Sequence, residues 1–395
     1  MGIGMSERLH VLILAGGSGR RLWPWSRPGI RKPELPLVSD CSPLDETVES
    51  ALLFAPPERI HLVAAEGYLS DPGFCQWITE PRGRNTLPAI MRGVEVLYQQ
   101  DPEAFVLVLP ADQHVIDRDR FRRGLLETVR ALDVQPDTFW IHGTVADPSP
   151  DFGFISLDTS TGFIDFVEKP TPEKIQQIQS EFESIGANRK SFRHCGIFGF
   201  GARFFLEQMK LRGIESSEEA PELSIDHFLL GEDDFAGCLE FRDLAHRWSD
   251  LGDWKSIREI KPGFHSPTSQ VSIRWSLPET VPRYPFAEPL ALDGESPVIH
   301  GDLSRRVVAL GMDRFEIFCD SSGIRILGSD SQGPLDPGRI VLNATGESLE
   351  IHGIAGGLVV CMDDLILICS ERGLISGLIP EASQILDSEM AKGSQ

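Results

Sequence analysis

The chain has 395 residues, 41% of them hydrophobic, and its 59 acidic against 37 basic residues give a formal charge of −22. That length accommodates two domains with full apolar cores. The charge excludes general binding to nucleic acid or anionic membranes, which needs a long-range positive field, so an anionic ligand has to find a local basic pocket. The seven cysteines (Cys41, Cys75, Cys195, Cys238, Cys319, Cys361, Cys369) are dispersed and form no C-x-x-C pair, which points to reduced thiols and a cytoplasmic protein. Met1 to His10 lacks the charged and apolar regions of a signal peptide, and Val11 to Ala15 is too short to span a bilayer.

Along the chain, short apolar runs rich in branched residues alternate with turns and helically spaced stretches up to about residue 260. The runs cover residues 11–15, 60–65, 105–109, 139–142, 163–167 and 196–200. Such runs suit strands buried on both faces, while Leu44, Val48 and Leu52, and then Phe121, Leu125 and Val129, share helical faces. The expectation is a doubly wound, mostly parallel, Rossmann-like α/β sheet over residues 1–262, with ligands beyond the carboxyl ends of its strands. The proline-punctuated stretch from Lys261 predicts a linker over 263–295. Short apolar runs between Gly, Asp, Ser and Asn turns then predict a smaller all-β domain over 296–395.

The chemistry concentrates after the first run. Ala15-Gly16-Gly17-Ser18-Gly19-Arg20-Arg21 is followed by Arg27, Arg31 and Lys32, five basic residues without an acid among them. Glycines let backbone N–H groups converge on phosphate oxygens and the bases supply countercharge, so the loop reads as a polyanion site rather than a plain glycine turn. It is neither a P-loop nor G-x-G-x-x-G, which argues against a dehydrogenase. Asp112, just past a strand, and Asp250, in Trp248-Ser-Asp-Leu-Gly-Asp-Trp254, are candidate Mg²⁺ ligands. Taken singly, each reads as a cap or turn residue rather than as a metal ligand. His114 reads as structural, since oxygen ligands suit Mg²⁺. Glu168-Lys169-Pro170 ends a strand either as a solvated ion pair or as a sugar-phosphate contact.

Together these segments resemble the sugar nucleotidyltransferase family and, within it, its mannose-1-phosphate guanylyltransferase branch. The resemblance rests on residues 12–24, Lys32, Glu80-Pro-Arg-Gly-Arg-Asn-Thr86, residues 109–112, Phe152-Gly-Phe-Ile155, residues 166–170, Ser224-Ile-Asp226 and residues 248–254, in family order. It implies a GT-A-like catalytic domain and a short left-handed β-helix in the tail, by analogy a surface on which two copies pair as a homodimer. It implies GTP and mannose 1-phosphate as substrates, with Mg²⁺ on Asp112 and Asp250. Arg21 and Lys32 would hold the triphosphate, and residues 15–19, with Glu80, Asn85 and Thr86, the rest of the nucleotide. Gly153, Glu168, Lys169 and His194 would hold the sugar phosphate. Three departures stand out: Arg20 precedes the motif arginine, the lysine segment reads Lys32-Pro-Glu-Leu35, and His194 replaces the family's sugar-site asparagine. The stretch 294–345 is also longer than the family's tail. Two alternatives share the pattern: another nucleotide and hexose pair, or a silent regulatory homologue that binds the sugar nucleotide.

Overall fold

A computed structural model describes residues 7–17, 19–27, 29–39, 41–66, 75–161, 164–185, 189–231, 235, 237–260, 284, 289–294, 296–301, 303, 305–310, 312, 315–320, 323–328, 340–343, 349–352, 358–362, 364–370 and 378–393. Ser18 and most of the expected linker lie outside these residues. The chain divides into two compact units, Met1–Gly16 with Pro43–Trp248, and Gly17–Ser42 with Ser249–Gln395.

The first unit contains β1 (Leu9–Leu14), α1 (Pro43–Ala51), β2 (Ile60–Ala65), β3 (Gln76–Glu80), α2 (Thr86–Gln100), β4 (Phe105–Pro110), β5 (His114–Val115) and α3 (Arg118–Val134). It continues with β6 (Phe139–Val145), β7 (Phe154–Asp158), β8 (Ile164–Val167), α4 (Pro172–Ile185), β9 (Arg189–Gly201), α5 (Ala202–Leu211), α6 (Ile225–Leu230), β10 (Leu239–Asp243) and the start of β11 (Trp248–Ser249). The main sheet runs β10-β6-β9-β4-β1-β2-β3, with a β7–β8 hairpin joined to β9. β1 pairs in parallel with β2 and β4, β2 with β3, and β6 with β10.

Alternation along a strand divides the core between the two faces of this sheet. Leu12, Val106 and Val108 pack with α2 and α5, whereas Leu9, Val11, Ile13, Leu107 and Leu109 pack with α1 and α3. Both faces are covered by helices, which is why the runs carry no polar alternation. The departure from a parallel sheet is β9, which is antiparallel to β4, β6 and β7. Its register against β6 shifts between Ile141 and Gly143, and Gly196 adopts a φ of 65°. That irregularity bends the 13-residue strand beside His194, as bulges do where a side chain is re-aimed.

The second unit opens with two 3-10 turns, Arg20–Leu22 and Lys32–Glu34, and resumes with α7 (Trp254–Ile260). β12 (Leu290–Leu292), β13 (Val298–Gly301), β14 (Arg306–Leu310), β15 (Phe315–Asp320), β16 (Gly323–Gly328), β17 (Ile340–Asn343), β18 (Leu349–His352), β19 (Leu358–Cys361), β20 (Leu365–Cys369) and α8 (Leu378–Gly393) follow. One sheet has the order β12-β14-β20-β19-β17 and the other β13-β15-β16-β18. The long 294–345 stretch supplies β13 to β17. Val307, Ala309, Val359, Ile366 and Ile368 pack with Ile317, Ile326 and Ile351 of the other sheet. Their neighbours Val308, Leu310, Val360, Leu365 and Leu367 pack with Leu22, Trp23, Trp25 and Leu35 of the early loop and with Leu386 of α8.

The unit is therefore not all-β. In α8, Ile379, Ala382, Ser383 and Leu386 are buried at helical spacing, a period that was present in the sequence and missed beside the shorter strand runs. No helix among the described residues is long and apolar enough to cross a membrane.

Candidate functional site

The glycine–arginine loop folds tightly within the second unit. Gly17 and Gly19 have φ of 91° and 62°, and a Cβ on Gly19 would lie 2.7 Å from Ser26 Oγ and 2.9 Å from Lys32 Cβ. Only glycine meets both the left-handed backbone and the close approach. The five basic residues of this segment differ in their surroundings. Arg21 is exposed and Lys32 is buried, while Arg20 is described by its backbone alone. Arg27 is buried, pairs with Asp364 at 2.6 Å, donates to the Pro24 carbonyl at 3.0 Å and lies 4.7 Å from the Tyr284 ring centroid. It pins the loop to the tail strands and is not part of a phosphate cradle.

The Asp250 turn belongs to the same unit. Asp250 Oδ1 accepts the Gly252 N–H at 3.2 Å, and Leu251 between them has a φ of 46°. A Cβ on Gly252 would stand 2.6 Å from Asp250 Oδ2 and 3.2 Å from an Arg21 guanidinium nitrogen. The loop arginine and the second candidate metal ligand thus border one spot, although 229 positions separate them in the chain (250 − 21). Trp254 donates to the Trp23 carbonyl at 3.2 Å, which holds the turn against the loop.

In the first unit, Asp112 follows β4 in a turn whose Ala111 N–H bonds the Leu14 carbonyl at 3.0 Å and whose Gln113 amide bonds the Cys195 carbonyl at 2.6 Å. His114 Nδ1 lies 2.9 Å from Glu46, which also binds Arg118 at 2.6 Å. Among the described residues no group of three or more His, Cys, Asp or Glu gathers in a metal-binding cluster.

Glu80 ends β3 and Asn85 caps α2. Burial pushes the Glu80 carboxyl above the usual range, against the pull of Arg84. Asn85 adopts a φ of 83° and its Oδ1 accepts the Thr86 N–H at 2.9 Å; Thr86 Oγ1 accepts the Ile225 N–H at 2.9 Å. Arg84 donates to the Ser217 carbonyl and, at 2.9 Å, to the Glu218 carbonyl. Glu80, Arg84 and Glu218 line a cleft of about 400 Å³, to which Arg82, Arg92 and Ser217 also contribute, whereas Asn85 and Thr86 are not among its lining residues. Sequence reading assigned no role to those three, and Ser217 was beyond its reach because nothing local ties residues 216–220 to the start of α2.

The β7–β8 hairpin assembles the remaining candidates. Gly153 accepts the His194 N–H at 2.9 Å, and a Cβ there would lie 2.8 Å from Glu168 Oε2 and 2.9 Å from the Phe166 ring. Lys169, with a φ of 43°, places Nζ 3.3 Å from Glu168 Oε1. His194 Nδ1 lies 2.9 Å from Asp226 Oδ1. Burial works to raise the Asp226 carboxyl, but the adjoining His194 outweighs it and holds the group below the usual carboxylate range. Three of the non-glycine residues with left-handed backbone, Asn85, Lys169 and Leu251, thus lie at or beside candidate residues, where such strain tends to collect.

A family model described as nucleotidyl transferase matches residues 10–266. The chain is 28% identical over 296 residues to the mannose-1-phosphate guanylyltransferase of Escherichia coli (strain K12), covering 64% of this chain and 60% of that protein. It is 28% identical over 306 residues to mannose-1-phosphate guanylyltransferase ManC of Salmonella typhimurium, covering 67% and 61%. The chain thus spans about 60% of the length of these curated relatives. Among solved structures, its fold is similar to that of a mannose-1-phosphate geranyltransferase from Thermus thermophilus, with a TM-score of 0.55 and 24% identity over 81% of this chain and 94% of that one.

Proposed function

Because the chain belongs to the nucleotidyl transferase family, we propose that it joins a hexose 1-phosphate to the α-phosphate of a nucleoside triphosphate, with GTP and mannose 1-phosphate as substrates and GDP-mannose as product. The observation that carries this reading is the meeting of Asp250 and Arg21, which follows the glycine loop in the chain, at Gly252. A guanidinium and a carboxylate at one spot suit a triphosphate and a divalent cation together. The names of the curated relatives and the Arg84-Asn85-Thr86 segment support guanine and mannose as the choice.

An ionised phosphate oxygen of the hexose 1-phosphate attacks the α-phosphorus in line and expels pyrophosphate, so no nucleophilic side chain or general base is needed. Arg21 and Lys32 hold the triphosphate and the departing pyrophosphate, and Lys169 restrains the acceptor phosphate. Residues 15–19, Glu80, Asn85 and Thr86 border the nucleotide, and Gly153, Glu168 and His194 the sugar. Asp112 and Asp250 would hold Mg²⁺, a hard cation that their oxygen donors fit, and the bound ion supplies neutralisation of phosphate charge. The tail is read as a left-handed β-helix, supported by the parallel pairs of β13 with β15, β14 with β20 and β16 with β18, and as the surface through which two copies pair.

Pyrophosphate release from GTP, ATP, UTP and dTTP against mannose, glucose and galactose 1-phosphates tests the reading. The expected result is turnover highest with GTP and mannose 1-phosphate and at least a hundredfold lower in Lys169→Ala. Absence of turnover with every pair, alongside binding of GDP-mannose, would overturn it in favour of a silent sugar-nucleotide sensor.

A further inference from the structure

Arg21 is exposed, so its direction depends on the backbone of its own turn rather than on packing around the guanidinium. That turn, Arg20–Leu22, is closed by the Leu22 N–H on the Gly19 carbonyl at 2.9 Å. Next in the chain stands Trp23, which is fully buried. Three other segments of the same unit converge on it. Trp254, which follows the Asp250 turn, donates to the Trp23 carbonyl at 3.2 Å. The indole N–H of Trp23 donates to the Tyr284 hydroxyl at 2.7 Å, and that hydroxyl donates to Asp387 Oδ1 of α8 at 3.0 Å.

Tyr284 is itself held by backbone, ring and hydroxyl. Its N–H donates to Asp364 Oδ2 at 2.9 Å, the oxygen that also binds Arg27, and the Arg27 guanidinium lies over its ring. Its hydroxyl serves as acceptor and donor at once, and burial keeps the proton on it by pushing its pKa up. A buried indole needs one acceptor, which a backbone carbonyl could supply. Here the acceptor passes the bond on to a carboxylate, which strengthens it and ties the turn to α8. Ile379, Ala382 and Leu386 of that helix pack in the same core as Leu22 and Trp23.

We propose that Tyr284 is a positioning residue for nucleotidyl transfer: through the chain from Trp23 to Tyr284 to Asp387 it sets the turn that aims Arg21 at the triphosphate, so that α8 contributes to catalysis without touching a substrate. The proposal rests on the nucleotidyl-transfer reading and adds to it the element that holds one of its cations. No sequence motif announces it, since Trp23 and Tyr284 lie 261 positions apart and Tyr284 and Asp387 another 103.

The test is steady-state kinetics with GTP and mannose 1-phosphate on the full chain, alongside urea unfolding. Tyr284→Phe keeps the ring and removes only the hydroxyl. It is expected to lower kcat about tenfold and to leave the KM of mannose 1-phosphate unchanged. Asp387→Asn keeps an acceptor oxygen for the hydroxyl and is expected to stay within about threefold of wild type, whereas Asp387→Leu is expected to match Tyr284→Phe. In an Arg21→Ala background, Tyr284→Phe should lower kcat by no more than about twofold, because the chain acts through Arg21. A Tyr284→Phe variant that loses stability but keeps the wild-type kcat would overturn the proposal and leave the chain a structural staple. An undiminished loss on top of Arg21→Ala would overturn it too, by showing that Arg21 is not what the chain positions. A wild type that turns over no nucleotide and sugar pair would overturn the nucleotidyl-transfer reading, and this proposal with it.

Discussion

The two units hold their candidate residues by opposite means. In the first, several candidates stand at strand ends: Asp112 after β4 and Lys169 after β8, both strands that the sequence announces, and Glu80 at the end of β3. Buried strands dictate where the chain turns, and the turns carry the polar groups. In the second unit the candidates lie in irregular backbone, and what places them is packing between distant segments. Trp23 and Trp25 of the early loop pack with Trp254 and with alternate residues of β14, β19 and β20, so Arg21 and Asp250 meet because a shared core draws their segments together. A site on strand ends inherits the rigidity of its sheet, whereas one held by tryptophans and a buried ion pair depends on those contacts.

Breaking the ion pair is therefore the severest test of that contrast. Arg27→Ala leaves Asp364 buried without its partner and is expected to cost about 3–5 kcal/mol of stability, measured by urea unfolding. Equal stability in Arg27→Ala and wild type would show that the loop is not pinned in this way. Next in size, Asp250→Ala and Arg21→Ala are each expected to lower kcat about a hundredfold, roughly 3 kcal/mol, with an unfolding midpoint close to wild type. Gly252→Ala and Gly153→Ala sharpen the comparison at the level of a single methyl. The first crowds Asp250 and Arg21 and should act mainly on kcat, while the second crowds Glu168 and Phe166 and should act mainly on the KM of the sugar phosphate, each about tenfold. The same kinetic signature from both would dissolve the division of roles.

The smallest effect concerns acid. Burial, as the main cause, lowers the pKa of His61 and His246 to about 4 and of His142 to about 3, and lowers that of His10 as well, all in the first unit. Each ring binds its proton more weakly folded than unfolded. Their contribution to stability is thus complete above the unfolded value near 6.5 and is lost as pH falls from there toward 4. Urea midpoints at pH 7, 6 and 5 should decline in that order. His246 is buried against Phe121, with no partner for either ring nitrogen among the described residues. His246→Leu should therefore raise stability by about 1 kcal/mol and soften the acid decline. An unchanged pH dependence in this variant would show that His246 takes no part in it.

By itself the sequence determined β1, β2, β4, β6, β8 and the end of β9, the helices α1 and α3 and the glycine–arginine loop, because each follows from periodicity or backbone demand within a few residues, while β3, β7 and β10 carry no comparable apolar run. Ordered motifs also identified most candidate residues, including His194 as a departure. The antiparallel course of β9 was not legible, since the apolar run that announces it, residues 196–200, carries no mark of its direction. Helix α8 was legible and overlooked. Three facts were decided by tertiary structure alone: that Arg27 serves the core, that Arg21 meets Asp250, and that Asp226 stands beside His194. Each is a contact between side chains 32 to 337 positions apart (226 − 194 and 364 − 27), and only packing of the whole chain specifies such contacts.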